Sequence, residues 1–346
     1  MSVWMRRILA AVLAVALCCP GSAVFATETE PAQTEPAAVE TEPAETEPEE
    51  TEPEETEPEK ETDTYTIDTE SEIYRICQEL TAEMVYDQLL IYEATADEIL
   101  YADTREGPKL YPASTTKLFS SYVALQYLAP GELITAGKEL ELVHAGSSVA
   151  YVGKNHVLSV QKLVEGMMLP SGNDAALVLA TAAGRRIAED ETLAPEEAVA
   201  AFVQEMNRMA KELGFERSHF SNPDGWHTGS HYTCLNDMAR IAKLALANKT
   251  ISKYIRKFTD DVIFESGHAV TWENTNLLLN PDKGFYRSDA IGMKTGFTRQ
   301  AEYCLMSAFK CSGGKILVIG AFGYEDENQR YRDVCKLANA CKEQMK

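Results

Sequence analysis

Apolar positions recur with two periods along residues 64–346, and the periods separate helices from strands. The stretch LLIYEATADEILYADT (89–104) carries two apolar runs around a polar break, which predicts two strands joined by a turn. Helical spacing follows over 114–129, where Pro130-Gly131 stops it, and again over 158–169, which Pro170 breaks. It resumes over 174–188, over 195–213 with Gly214 as the terminating residue, and over 235–248. Between 140 and 160 alternation is weak, so loops and short strands are expected there. Asn222-Pro223-Asp224-Gly225 reads as a turn. Near the end of the chain, DAIGMKTGFT (289–298), EYCLMSAFKC (302–311) and KILVIGAFGY (315–324) predict adjacent antiparallel strands. A helix after Glu325 would pack on that sheet.

The first 63 residues lack both periods. Arg6 and Arg7 precede the apolar run ILAAVLAVALCC and a small-residue site ending Val24-Phe25-Ala26. Residues 1–26 therefore read as a secretory signal peptide cleaved after Ala26; left uncleaved, the segment would tether the chain to a membrane. The apolar run is short for a span, which takes about 20 residues. Residues 27–63 are a near-repeat of Thr-Glu-Pro-(Ala/Glu)-Glu, an extended or disordered acidic linker by composition. At the rise of a proline-rich chain it could reach ~100 Å, as a spacer in the wall or simply as a solubilising leader. It holds 16 acidic residues and one lysine, so it supplies most of the formal charge of −22. The acidic balance thus describes a tail, and residues 64–346 form one folded unit of ordinary charge. No basic stripe favours nucleic acid, and no glycine-rich phosphate loop is present.

Six cysteines lie beyond residue 26: Cys77, Cys234, Cys304, Cys311, Cys335 and Cys341. Their spacing has no small-domain framework, and free, mostly buried thiols are expected. Cys335 and Cys341, six apart on one helix, face away from each other. His227 and His231, with Asp224 and Asp237 nearby, have a spacing compatible with a metal. They lie in a Gly/Ser/Thr loop without a His-Glu-x-x-His pattern, so they are read as loop or cleft-lining histidines, and no metal or other cofactor is expected. Trp226 and Trp272 fit either a cleft wall or the core.

Chemistry concentrates in three runs: Ser114-Thr115-Thr116-Lys117, Ser171-Gly172-Asn173 and Lys294-Thr295-Gly296. In this order they read as the parts of a serine acyl-transfer enzyme on the penicillin-recognising fold. A serine hydroxyl needs a base within hydrogen-bond reach, and a lysine three residues on along a helix lies on the same face. Ser-x-x-Lys recurs at Ser312-Gly313-Gly314-Lys315, but that match falls in a hairpin turn between two strands and is set aside. Ser171 and Asn173 interrupt two buried helices, a rigid place from which polar groups can enter a cleft. Lys294 lies in a strand, where Gly296 permits close approach of a second backbone.

The segments YPASTTKLFSSYVAL, MMLPSGNDAALVLA, FSNPDGW, Asn274-Thr275-Asn276-Leu277-Leu278 and IGMKTGFT, in that order, resemble the serine-type D-alanyl-D-alanine carboxypeptidases, the low-molecular-mass penicillin-binding proteins of the S11 peptidase family. The resemblance covers nearly all of 64–346. It implies an α/β (α+β) fold of the penicillin-binding protein/β-lactamase-like transpeptidase kind: an antiparallel sheet flanked by helices, plus an all-helical lobe. It implies that Ser114 attacks the carbonyl of the penultimate D-alanine of a peptidoglycan stem peptide while Lys117 takes the proton. Ser171 would relay that proton to the leaving nitrogen, and Asn173 would hold the substrate amide and orient Lys117. Lys294 and Thr295 would bind the terminal carboxylate. Backbone N–H groups of Ser114 and Phe297, beside Gly296, would hold the oxyanion. β-Lactam antibiotics would acylate Ser114 and leave slowly.

Many members of that family carry a further C-terminal β-rich domain and an anchor helix. This sequence has no counterpart of them, so C-terminal membrane attachment is not expected. A secreted monomer acting in the wall space is. Three other readings use the same residues. A class A-like β-lactamase would need a deacylating glutamate, and no Glu-x-x-x-Asn signature stands between Asn173 and Lys294. A D,D-endopeptidase is not separable from a carboxypeptidase by sequence. A catalytically silent wall-binding scaffold would have kept the fold, although all the catalytic side chains are present.

Overall fold

The computed structural model describes residues 66–215 and 217–346. The signal peptide and acidic linker expected over 1–63 lie outside the described residues. The described chain begins with helix α1 (Glu72–Thr81), capped by the Ser71 hydroxyl, which accepts the Tyr74 N–H. Strands β1 (Gln88–Glu93) and β2 (Glu98–Thr104) follow as the hairpin the pattern predicts.

A 3₁₀ turn (Ala113–Thr116) then leads into α2 (Lys117–Ala124). The sequence expectation of one helix over 114–129 is corrected here. Ala113 sits at φ +46°, and the turn that carries Ser114 is tighter than an α-helix. Beyond Ala124 the ladder shifts to bonds between residues three apart, Gln126 N to Val123 O and Tyr127 N to Ala124 O.

Short strands β3 (Leu133–Thr135) and β4 (Val157–Ser159) pair across the weakly patterned region. Helices α3 (Val160–Met168), α4 (Asn173–Ala188), α5 (Pro195–Glu212), α6 (Leu235–Ala247) and α7 (Lys249–Tyr254) make up the helical part. A hairpin of β5 (Thr259–Ile263) and β6 (Ala269–Glu273) leads to β7 (Ala290–Thr298), β8 (Glu302–Lys310) and β9 (Ile316–Tyr324). Helix α8 (Glu327–Gln344) ends the chain, capped by Asp326, whose carboxylate accepts the Asn328 and Gln329 N–H groups.

The main sheet has the order β2-β1-β9-β8-β7 and is antiparallel throughout. Its central strands bury side chains on both faces. Leu90, Tyr92, Met306, Val318 and Phe322 meet the helical lobe, while Leu89, Ile91, Leu305, Phe309, Leu317 and Ile319 meet α1 and α8. The alternation of strand side chains thus divides the apolar residues between two cores. Strand β7 lies at the edge of the sheet, so its outer side is left to face the Ser114 turn and the cleft.

Candidate active site

The turn that carries Ser114 is fixed by its own threonines. Thr115 Oγ1 donates to Pro112 O at 2.6 Å, and Thr116 Oγ1 donates to Ala113 O at 2.8 Å. Because the Thr116 proton is used there, its oxygen accepts from His231 Nε2 at 2.9 Å. The bare His231 Nδ1 then accepts the Ser221 N–H at 3.1 Å. Burial holds this histidine neutral, with its pKa pushed down to about 3. His231 therefore bolts the Ser114 turn to the 221–231 loop from within, rather than lying on a surface loop. His227 packs edge-on against Tyr111 instead.

Two glycines let backbone close on the same turn. Gly225 has φ +85°, and a Cβ there would stand 1.9 Å from Ala113 O. A Cβ at Gly296 would stand 3.0 Å from Ser114 N and from Pro112 O. The second backbone that approaches the Lys-Thr-Gly strand is thus the chain's own nucleophile turn. This brings residues 296–297 beside the Ser114 N–H, the pair of positions expected to hold an oxyanion.

Lys117 is fully buried, with its ammonium nitrogen 2.9 Å from Ser114 Oγ, 2.8 Å from Asn173 Oδ1 and 2.7 Å from Asp224 O. Burial lowers its pKa to about 8, although the Asp224 and Asp174 carboxylates pull the other way. The three contacts define the chemistry. As a neutral amine, Lys117 has two protons for the two fixed oxygens, Asn173 Oδ1 and Asp224 O. Its lone pair is then left for the third direction, toward Ser114 Oγ.

Ser171 sits in the break before α4 at φ +63°, in the left-handed region that a non-glycine residue adopts only when its surroundings enforce it. It lines the cleft with Ser114 and Asn173. Asp174, next along the chain, is buried and accepts N–H groups of Ala150 (2.7 Å), Val152 (2.9 Å) and Ala175 (2.8 Å). It thereby ties α4 to the loop whose Gly146, Ser147 and Ser148 form one wall of the cleft.

On the opposite wall stand Thr295, Gly296, Phe297 and Thr298 of β7, with the Phe297 ring exposed at the rim 4.6 Å from Tyr303. Thr295 Oγ1 bonds Thr275 Oγ1 at 2.5 Å, which draws the Asn274–Leu278 segment into the site. Lys294 is fully buried beneath this wall and donates to Thr295 O at 3.0 Å. Burial drives its pKa well down, and the charges of Lys117 and Arg330 add to that. Lys294 does not itself line the cleft; it braces the strand whose Thr295 does.

The cleft has a volume of about 240 Å³, and several residues that the motifs did not single out complete it. Trp226 lines it and stacks on His144 at 4.3 Å, whereas Trp272 lies in the core and donates Nε1–H to Ala150 O. Arg330 of α8 reaches the far end, buried between Tyr303 and Tyr331; its Nη1 donates to Cys304 O at 2.5 Å, and its Nε has no hydrogen-bond partner among the described residues. Its spacing with Val334, Leu337 and Cys341 puts this charge on the buried stripe of the helix, a pattern visible in the sequence.

The family model described as D-alanyl-D-alanine carboxypeptidase matches residues 77–322. The chain belongs to that family. Within it, the D-alanyl-D-alanine carboxypeptidase DacF of Bacillus subtilis (strain 168) is 28% identical over 263 residues, covering 74% of this chain and 62% of the relative. The chain therefore spans less than two thirds of that relative's length. The D-alanyl-D-alanine carboxypeptidase of Streptomyces sp. (strain K15) is 31% identical over 247 residues, covering 69% of this chain and 79% of the relative. The crystal structure of the Streptomyces K15 DD-transpeptidase matches with a TM-score of 0.65 at 28% identity, over 75% of this chain and 97% of that one. The D-alanyl-D-alanine carboxypeptidase DacD from Francisella tularensis matches at 0.60 and 26% identity, over 75% of this chain and 71% of that one. The fold is the penicillin-binding fold, an antiparallel sheet with helices on both faces, as the family resemblance implies.

Proposed function

We propose that this chain is a serine D,D-carboxypeptidase that removes the terminal D-alanine of peptidoglycan stem peptides through a Ser114 acyl-enzyme. The observation that carries the proposal is the buried Lys117 amine, aimed at Ser114 Oγ by Asn173 and the Asp224 carbonyl. Ser114 Oγ attacks the carbonyl of the penultimate D-alanine and gives its proton to Lys117. The oxyanion forms against the N–H groups of Ser114 and Phe297; one donor of such a hole is worth about 3–4 kcal/mol of the barrier. Ser171 passes the proton to the departing D-alanine nitrogen. The carboxylate of that D-alanine rests on the Thr295 hydroxyl and beside the Arg330 guanidinium, with Lys294 bracing the strand from behind. Water enters along the same path and releases the shortened peptide, with Lys117 as the base again.

β-Lactams present the same strained acyl–nitrogen bond and acylate Ser114. Their adduct leaves slowly, because the one carboxylate among the described residues lining the cleft, Glu327, is paired with the Arg330 guanidinium at 3.4 Å and is not free as a general base. That arrangement favours the peptidase over a β-lactamase. The leader pattern of residues 1–26 supports action outside the cell, in the wall space.

The test is D-alanine release from a pentapeptide ending in D-Ala-D-Ala, with the full chain and its Ser114→Ala variant side by side. Release by the first and none by the second is expected. A folded wild-type chain that releases no D-alanine would leave the scaffold reading in its place.

A further inference from the structure

The six described cysteines are all free, and most of their thiols rest against ordinary backbone: Cys304 Sγ lies 3.3 Å from Ala301 O, and Cys311 Sγ lies 3.8 Å from Phe309 O. Two of them meet each other. Cys77 of α1 and Cys341 of α8 are both fully buried, and their sulfurs are 3.6 Å apart across 264 residues of chain. Around them Ile73, Met84, Val334, Leu337 and Ala338 make an apolar shell. The hydrogen bond shared with Cys77, together with burial, pushes the Cys341 thiol up.

We propose that Cys77 and Cys341 are a disulfide site that staples the first described helix to the last. The bond requires the sulfurs to close by about 1.5 Å, from the observed contact of 3.6 Å to covalent distance. A disulfide is as apolar as its surroundings and leaves no polar group unpaired there. The pair also sits at a mechanically useful place. Helix α8 carries Glu327 and Arg330 into the cleft at its first turn, and Cys341 lies roughly 16 Å further along the same helix. Tying that end to α1 holds the whole helix against the sheet.

The oxidant is a low-molecular-weight disulfide. When α1 lifts locally or the chain is still folding, Cys77 gives its proton to water. The thiolate attacks one sulfur of the reagent, whose S–S bond breaks to release one thiolate. The Cys341 thiolate then attacks the Cys77 sulfur of the mixed disulfide and expels the second. Two electrons pass from the protein to the reagent, which leaves as two thiols after taking up the two protons.

The test treats the folded, reduced full chain with oxidised glutathione, alkylates in denaturant, and maps the peptides by mass spectrometry. A linked Cys77–Cys341 peptide in near-stoichiometric yield is expected. The thermal midpoint should rise by roughly 5–10 °C over the dithiothreitol-treated chain. That difference should vanish in Cys77→Ala and in Cys341→Ala, while acylation by benzylpenicillin at 25 °C stays unchanged in the oxidised wild type. Separate alkylation of the two residues, a mixed disulfide that goes no further, or a bond from either to another cysteine would overturn the proposal. So would a linked chain with no gain in midpoint. The linked peptide and the thermal midpoint stand whether or not the carboxypeptidase reading holds.

Discussion

If Lys117 is the base, the rate of Ser114 acylation must follow the fraction of Lys117 present as amine. Its pKa is lowered to about 8 by burial. An unperturbed lysine, near 10.4, is well under a thousandth amine at pH 7; with a pKa of about 8 roughly a tenth is amine. That shift raises the amine fraction at pH 7 roughly 200-fold, on the order of 3 kcal/mol in the population of the proton-free form. The sign is set by the depressed pKa: acylation should be slow below pH 7, rise about tenfold between pH 7 and pH 9, and level off above. The assay is the rate of penicilloyl-adduct formation, followed by quenched-flow mass spectrometry at subsaturating benzylpenicillin from pH 6 to 9.5. Circular dichroism at each pH checks that the fold persists. Lys117→Arg separates base from charge, since a guanidinium keeps the charge and gives up no proton. A loss of at least a thousandfold is expected. A profile flat within twofold from pH 6 to 9, or an arginine variant acylated at the wild-type rate, would refute the assignment.

Three further outcomes follow from the groups around the nucleophile. His231 has a pKa near 3 in the folded chain and about 6.5 unfolded, so between those values only the unfolded chain binds the proton. Stability therefore falls as pH drops through that window. In His231→Asn the slope of unfolding free energy against pH should be shallower by up to about 1.4 kcal/mol per pH unit, read from urea melts at pH 4–6. Gly225→Ala puts a methyl 1.9 Å from Ala113 O at φ +85°, so the nucleophile turn must move. Displacement by ~1 Å costs on the order of a hundredfold, and penicilloyl formation should drop by at least that much; an unchanged rate contradicts the packing argument. Asp174→Ala orphans the N–H groups of Ala150, Val152 and Ala175. It should cost about 2–4 kcal/mol in a denaturant melt and loosen the wall at Gly146–Ser148.

The residues that the sequence displayed best are those whose side chains do the work in regular structure. Strands β7 to β9 are long apolar runs because both sheet faces are buried; α5 shows its period because it offers one stripe to the core, while α4 reads as a continuous small and apolar run because residues 173–181 are buried all round. The three motifs declare Ser114, Lys117, Ser171, Asn173 and Lys294 by residue type and order. Other parts were hidden for physical reasons. Asp224 serves Lys117 with a main-chain carbonyl, which any residue would supply. His231 acts from an irregular loop with no periodicity to place it. Helix α7 is too short to show a period, and in the β5–β6 hairpin only Val262 and Trp272 are fully buried, with Val270 half-buried beside them. The 3₁₀ geometry at Ser114 is imposed by backbone packing against Gly225 and Gly296, far away in sequence.

The central claim is that Ser114 is the nucleophile of an acyl-enzyme. Intact-mass spectrometry of the full chain after exposure to benzylpenicillin, with peptide mapping and Ser114→Ala alongside, tests it most directly. The account predicts one lasting adduct, mapped to Ser114 and missing from the variant. An adduct elsewhere, or none on a folded chain, would contradict it.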